Sequence, residues 1–96
     1  MNEILFSSAA ARFFKKLKNK GLKKAFKTAL LEVSKNPVIG EQKRGDLAGI
    51  LCYDFKFKGV KYEIAYVIKE NAEKKVIILL AGTRENFYEQ LKPYTK

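Results

Sequence analysis

Apolar positions change their spacing several times along the chain, and each change marks an element. Asn2 to Phe6 reads as a short strand. Ala10, Phe13, Phe14 and Leu17 then recur at the spacing that lines one face of a helix. Ser7 or Ser8 is placed to cap that helix, because a hydroxyl accepts from a first-turn N–H that has no partner within the helix. The pattern breaks over Asn19 to Gly21, where glycine tolerates a turn. Leu22, Phe26, Ala29, Leu30 and Val33 mark a second amphipathic helix. Asn36-Pro37 ends it, since proline disfavours helical backbone at the residue before it. So short a link between two helices predicts an antiparallel helical hairpin.

The second half changes period. Val38 to Gly49 is polar, holds Gly40, Gly45 and Gly49, and is expected to be a loop. Leu51, Tyr53, Phe55 and Phe57 alternate with Cys52, Asp54, Lys56 and Lys58, the period of a half-buried strand. Lys58-Gly59 predicts a hairpin turn. Val60, Tyr62, Ile64, Tyr66 and Ile68 alternate in the same way, and a second turn is expected around Glu70 to Lys74. Val76 to Leu80 is continuously apolar, as in a strand covered on both faces. Thr83 is placed to cap a last short helix with Phe87, Tyr88 and Leu91, and Pro93 limits its length. The order predicts one α+β domain over residues 1–96. An N-terminal helical hairpin packs on one face of a small antiparallel sheet, and a short C-terminal helix follows.

Charge adds a functional direction. Twenty Lys and Arg stand against ten Asp and Glu, a net charge of +10. The excess is clustered: from Ile4 to Leu31 there is no acidic residue, while Arg12, Lys15, Lys16, Lys18, Lys20, Lys23, Lys24 and Lys27 all fall there. Such a field attracts polyanions. The basic hairpin suits a nucleic-acid backbone, an anionic membrane, or simply solvent. Nucleic acid ranks above membrane, because insertion would open the core.

Composition also excludes chemistry. The chain has no histidine and a single cysteine, Cys52. That removes Ser-His-Asp and Cys-His catalysis and any ordinary metal-ligand set, so neither metal nor cofactor is expected. One cysteine in a strand pattern predicts a buried inert thiol in a reducing cytoplasm. No apolar run is long enough to span a bilayer, so a cytoplasmic protein without a membrane partner is expected.

If the helices cover the Tyr53/Phe55 and Tyr62/Ile64 face, strand alternation puts Asp54, Lys56, Lys61 and Glu63 together on the other. Arg84 and Tyr88 follow the apolar strand and are in reach of that surface. The set offers cations, carboxylates and a phenol to a phosphate; the competing reading is a solvated face with cross-strand ion pairs. Gly40 and Gly45 in GEQKRG suggest a phosphate loop, but the Lys-Ser/Thr that would follow the second glycine is absent. A polar loop fits better, with Lys43 and Arg44 as mobile cations.

The path KNPVIGEQKRGDLAGILCYDFKFKGVKYEIAYVI, the apolar strand after it, and AGTRENFYEQLKPY together resemble the RelE/ParE superfamily of toxin–antitoxin toxins. The resemblance covers nearly the whole chain. It implies a toxin neutralised by a cognate antitoxin. RelE-like members cleave messenger RNA on the ribosome without metal; ParE-like members inhibit DNA gyrase. In RelE-like toxins the chemistry lies on two lysines of the first long strand, an arginine of the next, an arginine after the last strand and a C-terminal tyrosine. Here Asp54 takes the first lysine position and Lys56 the second. Glu63 takes the strand arginine position, with Lys61 two residues away. Arg84 matches the late arginine, and Tyr88 the tyrosine after a small gap.

The resemblance therefore implies a ribosome-dependent endoribonuclease with Lys56, Glu63, Arg84 and Tyr88 as catalytic residues. Arg84 and Lys56 suit phosphate stabilisation. Glu63 or Asp54 serves as base, and Tyr88 as acid or stacking platform. Lys15, Lys16, Lys23, Lys24, Lys43, Arg44 and Lys61 are the expected RNA contacts. The expected partners are antitoxin, ribosome and messenger RNA. The alternative is a non-enzymatic inhibitor of gyrase or another protein.

Overall fold

Ser7 sets where the first helix begins. Its hydroxyl accepts from the Ala10 N–H at 3.0 Å and donates to the Leu79 carbonyl at 2.7 Å, so one side chain caps the helix and ties it to a distant strand. The computed structural model describes residues 2–70, 73–85 and 87–94. Among them the chain forms β1 (Glu3–Phe6), α1 (Ser8–Lys16), α2 (Lys20–Lys35), β2 (Glu41–Gln42), β3 (Leu51–Phe57), β4 (Val60–Glu70), β5 (Lys74–Thr83) and α3 (Phe87–Leu91). The turn expected at Glu70 to Lys74 includes residues 71 and 72, which lie outside the described residues.

The sheet runs β1-β5-β4-β3-β2. It is mixed and not antiparallel as expected: β1 lies parallel to β5, with Ile4 beside Val76 and Phe6 beside Ile78. Short connections force β3, β4 and β5 to alternate in direction. No tight turn links β1 to its neighbour; the chain leaves β1 through α1 and α2, so β1 is free to add in parallel to the edge of β5. Asn2 fixes its start, accepting from the Ser34 hydroxyl at 2.7 Å and donating to the Ser34 carbonyl at 2.9 Å.

Both helices cover the same face. Phe26 of α2 is 1% exposed and meets Phe13, Phe14, Phe55 and Tyr62 edge-on, at centroid distances of 5.4, 5.2, 4.9 and 5.6 Å. Edge-on aromatic packing of this kind adds to the area it buries. Asn19 caps α2, accepting from the Leu22 N–H at 2.9 Å. Gly21 is therefore helical and not part of a turn. Its lack of a side chain admits the Phe57 ring, which a Cβ there would meet at 3.0 Å. The Lys58-Gly59 turn is as expected, with φ of 51° and 82°, the two positive angles of the tight hairpin turn that matches strand twist.

A bulge then changes which way β5 faces. Ala65 pairs with Leu80 but Tyr66 pairs with Ile78, so Leu79 is an extra residue. Val76 and Ile78 consequently pack with the helices, whereas Leu80 packs with Phe87 and Leu91 of α3 on the opposite face. Thr83 ends β5 and does not cap α3, which starts at Phe87.

The expected loop is more ordered than its polarity suggests. It contains short 3-10 turns at Pro37–Ile39 and Gly45–Leu47, with β2 between them. Buried Tyr66 donates to the Pro37 carbonyl at 2.6 Å and accepts from the Gly40 N–H at 2.9 Å. A Cβ on Gly40 would meet the Tyr66 hydroxyl at 2.5 Å, so Gly40 serves close approach. Tyr66→Phe leaves both backbone groups without their partner and should cost about 1–3 kcal/mol in urea unfolding. Gly40→Ala should also destabilise, and by less when Tyr66→Phe is already present; equal costs in both backgrounds would disprove the coupling.

Candidate functional site

The face opposite α1 and α2 is set by strand alternation. Cys52 lies opposite Ala65, Asp54 opposite Glu63, and Lys56 opposite Lys61. Across β5, Glu63 lies opposite Gly82, where nothing stands within 4 Å of a would-be Cβ. Phe87 and Leu91 of α3 pack over Ile50, Cys52, Ala65 and Leu80. That packing holds Tyr88 beside Glu63.

Glu63 is the centre of this arrangement. It is 1% exposed, and carboxylates are rarely so buried without partners. The Tyr88 hydroxyl donates to Oε1 at 3.0 Å. Arg84 Nε lies 3.2 Å from Oε2, yet Oε2 has no hydrogen bond of acceptable geometry among the described residues. The Arg84 pairing is thus electrostatic, and the arginine side chain keeps half its surface in solvent. Backbone bonds from Arg84 N–H to the Lys61 carbonyl (3.0 Å) and from Phe87 N–H to the Arg84 carbonyl (3.1 Å) anchor Arg84 to β4 and to the start of α3.

Three of the four expected catalytic residues, Glu63, Arg84 and Tyr88, are therefore in direct contact. Lys56 is exposed on the same face, one pair nearer the hairpin turn. Lys61 pairs loosely with Asp54 at 3.9 Å. Lys15, Lys16, Lys23 and Lys24 are exposed on the helical layer. Lys16 also borders a cleft of about 420 Å³ with Arg12, Gln90 and Tyr94. Arg44 is exposed beside the Gly45–Leu47 turn.

Lys43 departs from expectation. It is not a mobile cation: its N–H donates to the Ile50 carbonyl at 2.9 Å, and its side chain is only 17% exposed. Nζ sits 4.8 Å from the centre of the Tyr88 ring and 3.2 Å from Glu41 Oε1. Burial lowers the Lys43 pKa, but contact with Tyr88 and Glu41 outweighs it, and the net shift is upward. Tyr88 is also raised, first by burial and then by Glu63, against the opposing pull of Lys43. A two-residue strand has no periodicity to detect. Its charge marked Lys43 in the sequence, but no local pattern announced its burial beside Tyr88.

Cys52 is buried, and desolvation pushes its thiol from 9.0 up to about 12. It is a packing residue. No group of three or more His, Cys, Asp or Glu suited to a metal ion occurs among the described residues, and none of their helices is long and apolar enough to cross a membrane.

The family model that matches residues 4–92 is that of the ParE-like toxins of type II bacterial toxin–antitoxin systems. Among solved structures, a chain of the Mycobacterium tuberculosis RelBE2 toxin–antitoxin complex is 26% identical with a TM-score of 0.66, over 86% of this chain and 98% of that one. A chain of the intact E. coli RelBE complex is 22% identical with a TM-score of 0.65, over 85% and 95%. The isolated E. coli RelE toxin is 22% identical with a TM-score of 0.66, over 98% and 99%. No curated protein sequence matches.

The thiol and phenol shifts give a pH prediction. Between its ordinary pKa and its raised one, Cys52 keeps its proton in the folded chain and loses it in the unfolded one. Stability must therefore fall as pH rises above 9, by up to about 1.4 kcal/mol per pH unit for one proton. Tyr66 and Tyr88, raised above 10.0, steepen the fall at higher pH. Cys52→Ala should flatten its onset in urea unfolding; an unchanged slope would mean the thiol is not held protonated.

Proposed function

The chain belongs to the ParE-like toxins of type II bacterial toxin–antitoxin systems, and from that premise we propose that it is a metal-independent, ribosome-dependent endoribonuclease acting on messenger RNA. The observation that carries this reading is the contact of Tyr88 and Arg84 with buried Glu63, on a sheet face extended by Lys56 and Lys61. RNA cleavage of this kind needs a 2′-hydroxyl to lose its proton and attack the adjacent phosphorus. The 5′-oxygen then leaves with a proton, and a 2′,3′-cyclic phosphate remains. Arg84 and Lys56 are placed to stabilise the crowded phosphorane. Asp54, half-exposed and only loosely paired, suits the base. Glu63 is closed to solvent and suits holding Tyr88 and Arg84 in place. Tyr88 supplies the proton or a stacking surface.

Binding of the ribosome would use the exposed Lys15, Lys16, Lys23 and Lys24 of the helical layer, with Arg44 and Lys61 nearer the message. A cognate antitoxin is the other partner, supported by the toxin–antitoxin complexes among the similar structures. A surface suited to it runs between β1 and α2, where Ile4, Phe6, Leu30 and Leu31 line an apolar groove beside Lys27. Phe6 and Leu31 are 45% and 41% exposed there. An apolar segment carrying acidic residues would cover that groove and fold on binding.

One observation favours a second reading. Glu63 pairs with half-exposed Arg84, and Asp54 stands where RelE-like toxins carry a lysine, so the uncompensated phosphate-facing cations are fewer. Inhibition of gyrase or another protein target would need no such cations.

Induction of the wild type in bacterial cells, with mapping of messenger-RNA 5′ ends, separates these readings. New cuts in translated messages, reduced at least about a hundredfold by Arg84→Ala, are expected if that cation stabilises the transition state. Growth arrest without cuts would move the assignment to a protein target.

A further inference from the structure

Lys43 is enclosed among groups that matter to the proposed chemistry without belonging to the positions that the family resemblance marks. β2 is only two residues long, yet its pairing with β3 aims Glu41 and Lys43 at the same face as Cys52 and Glu63. The Lys43 ammonium lies over the Tyr88 ring, and the Tyr88 hydroxyl is bound by Glu63. The two grips come from opposite sides of β3, one from the residue that follows β2 and one from β4.

We propose that Lys43 is a positioning residue for Tyr88: its ammonium, just after β2, lies over the ring while the Glu63 carboxylate holds the hydroxyl from β4, so the phenol is held at two points. This rests on the reading that Tyr88 acts on RNA, and it deepens that reading. A cation over an aromatic face is attracted by the ring quadrupole, more strongly when partly desolvated. Lys43 meets that condition, and Glu41 holds its ammonium in place at 3.2 Å. The groups acting on Tyr88 are Lys43, just after β2, Cys52 from β3 and Glu63 from β4; Glu41 contacts Lys43 and Arg84 contacts Glu63. Of these, Lys43 favours the ionised phenol and Glu63 opposes it. Glu63 thus sets where the Tyr88 proton points, and Lys43 sets how the ring is held and how readily the proton leaves.

The test is a titration that needs no activity. Tyrosine labelled with carbon-13 at Cζ gives one resonance per phenol, and Tyr88→Phe identifies the one to follow. Lys43→Met should raise the Tyr88 midpoint by about half a unit to one unit, as loss of a nearby cation does. Lys43→Arg should keep it near the wild-type value, and Glu63→Gln should lower it. Lys43→Gln serves in place of the methionine variant if that one does not fold, as judged by its amide correlation spectrum. A folded Lys43→Met or Lys43→Gln whose Tyr88 midpoint does not move overturns the proposal. In cells, message cutting should fall about tenfold or more with Lys43→Met and be largely restored with Lys43→Arg. If the midpoint moves as expected but the wild type cuts no RNA, the clamp on Tyr88 stands and the nuclease reading fails.

Discussion

β4 is hydrogen-bonded along both edges, to β3 on one side and β5 on the other, and its register fixes the rest of the molecule. Once that register is set, Tyr62, Ile64 and Tyr66 must face the helices, and Lys61, Glu63 and Ala65 must face the other way. A slip of one residue would turn Lys61 into the aromatic core and move Ile64 out of it, to the face beneath α3. The strand therefore serves two different layers at once, a thick aromatic core on one side and a thin cover by α3 on the other. The two faces have different chemistry because one is sealed by two helices and the other by a single short one.

The bulge at Leu79 reconciles these layers. It reverses the facing of β5 partway along, so Val76 and Ile78 complete the helical core while Leu80 supports α3. It also sets the end of β5 so that Gly82 stands beside Glu63 and Arg84 follows within reach of its carboxylate. Ser7 satisfies the Leu79 carbonyl and caps α1 with the same hydroxyl, which couples the first helix to the irregularity that shapes the site. Tyr66 plays a comparable role at the far side, holding Pro37 and Gly40 and so guiding the chain into β2.

A buried carboxylate gives the site its character. Glu63 is sealed from solvent, and charged or polar groups gather on it: Arg84 Nε lies 3.2 Å from one oxygen, Tyr88 donates to the other, and the Lys43 ammonium lies over the Tyr88 ring. Uncompensated burial of that charge would be costly, so these contacts order the site as well as equip it. The cluster has its own internal charge balance and does not simply present cations to solvent. This separates it from the exposed lysines of the helical layer.

Much of this was legible in the residues. Phe13, Phe14, Leu22 and Phe26 announced two helices, Lys58-Gly59 announced a hairpin, and alternation placed Asp54, Lys56, Lys61 and Glu63 on one face. These features are local: they depend on periods of two or 3.6 residues and on turn geometry, which neighbouring residues set by themselves. The parallel pairing of β1, the two-residue β2, the bulge at Leu79 and the burial of Glu63 are not local. They arise where segments far apart in the chain compete for one sheet edge or one cover, and no period in the sequence records the winner. The sequence by itself thus determined the elements and the two faces of the hairpin. The tertiary structure decided which residues meet there, because contact between Lys43, Glu63, Arg84 and Tyr88 requires β2, β4 and the segment after β5 to be brought together by the sheet.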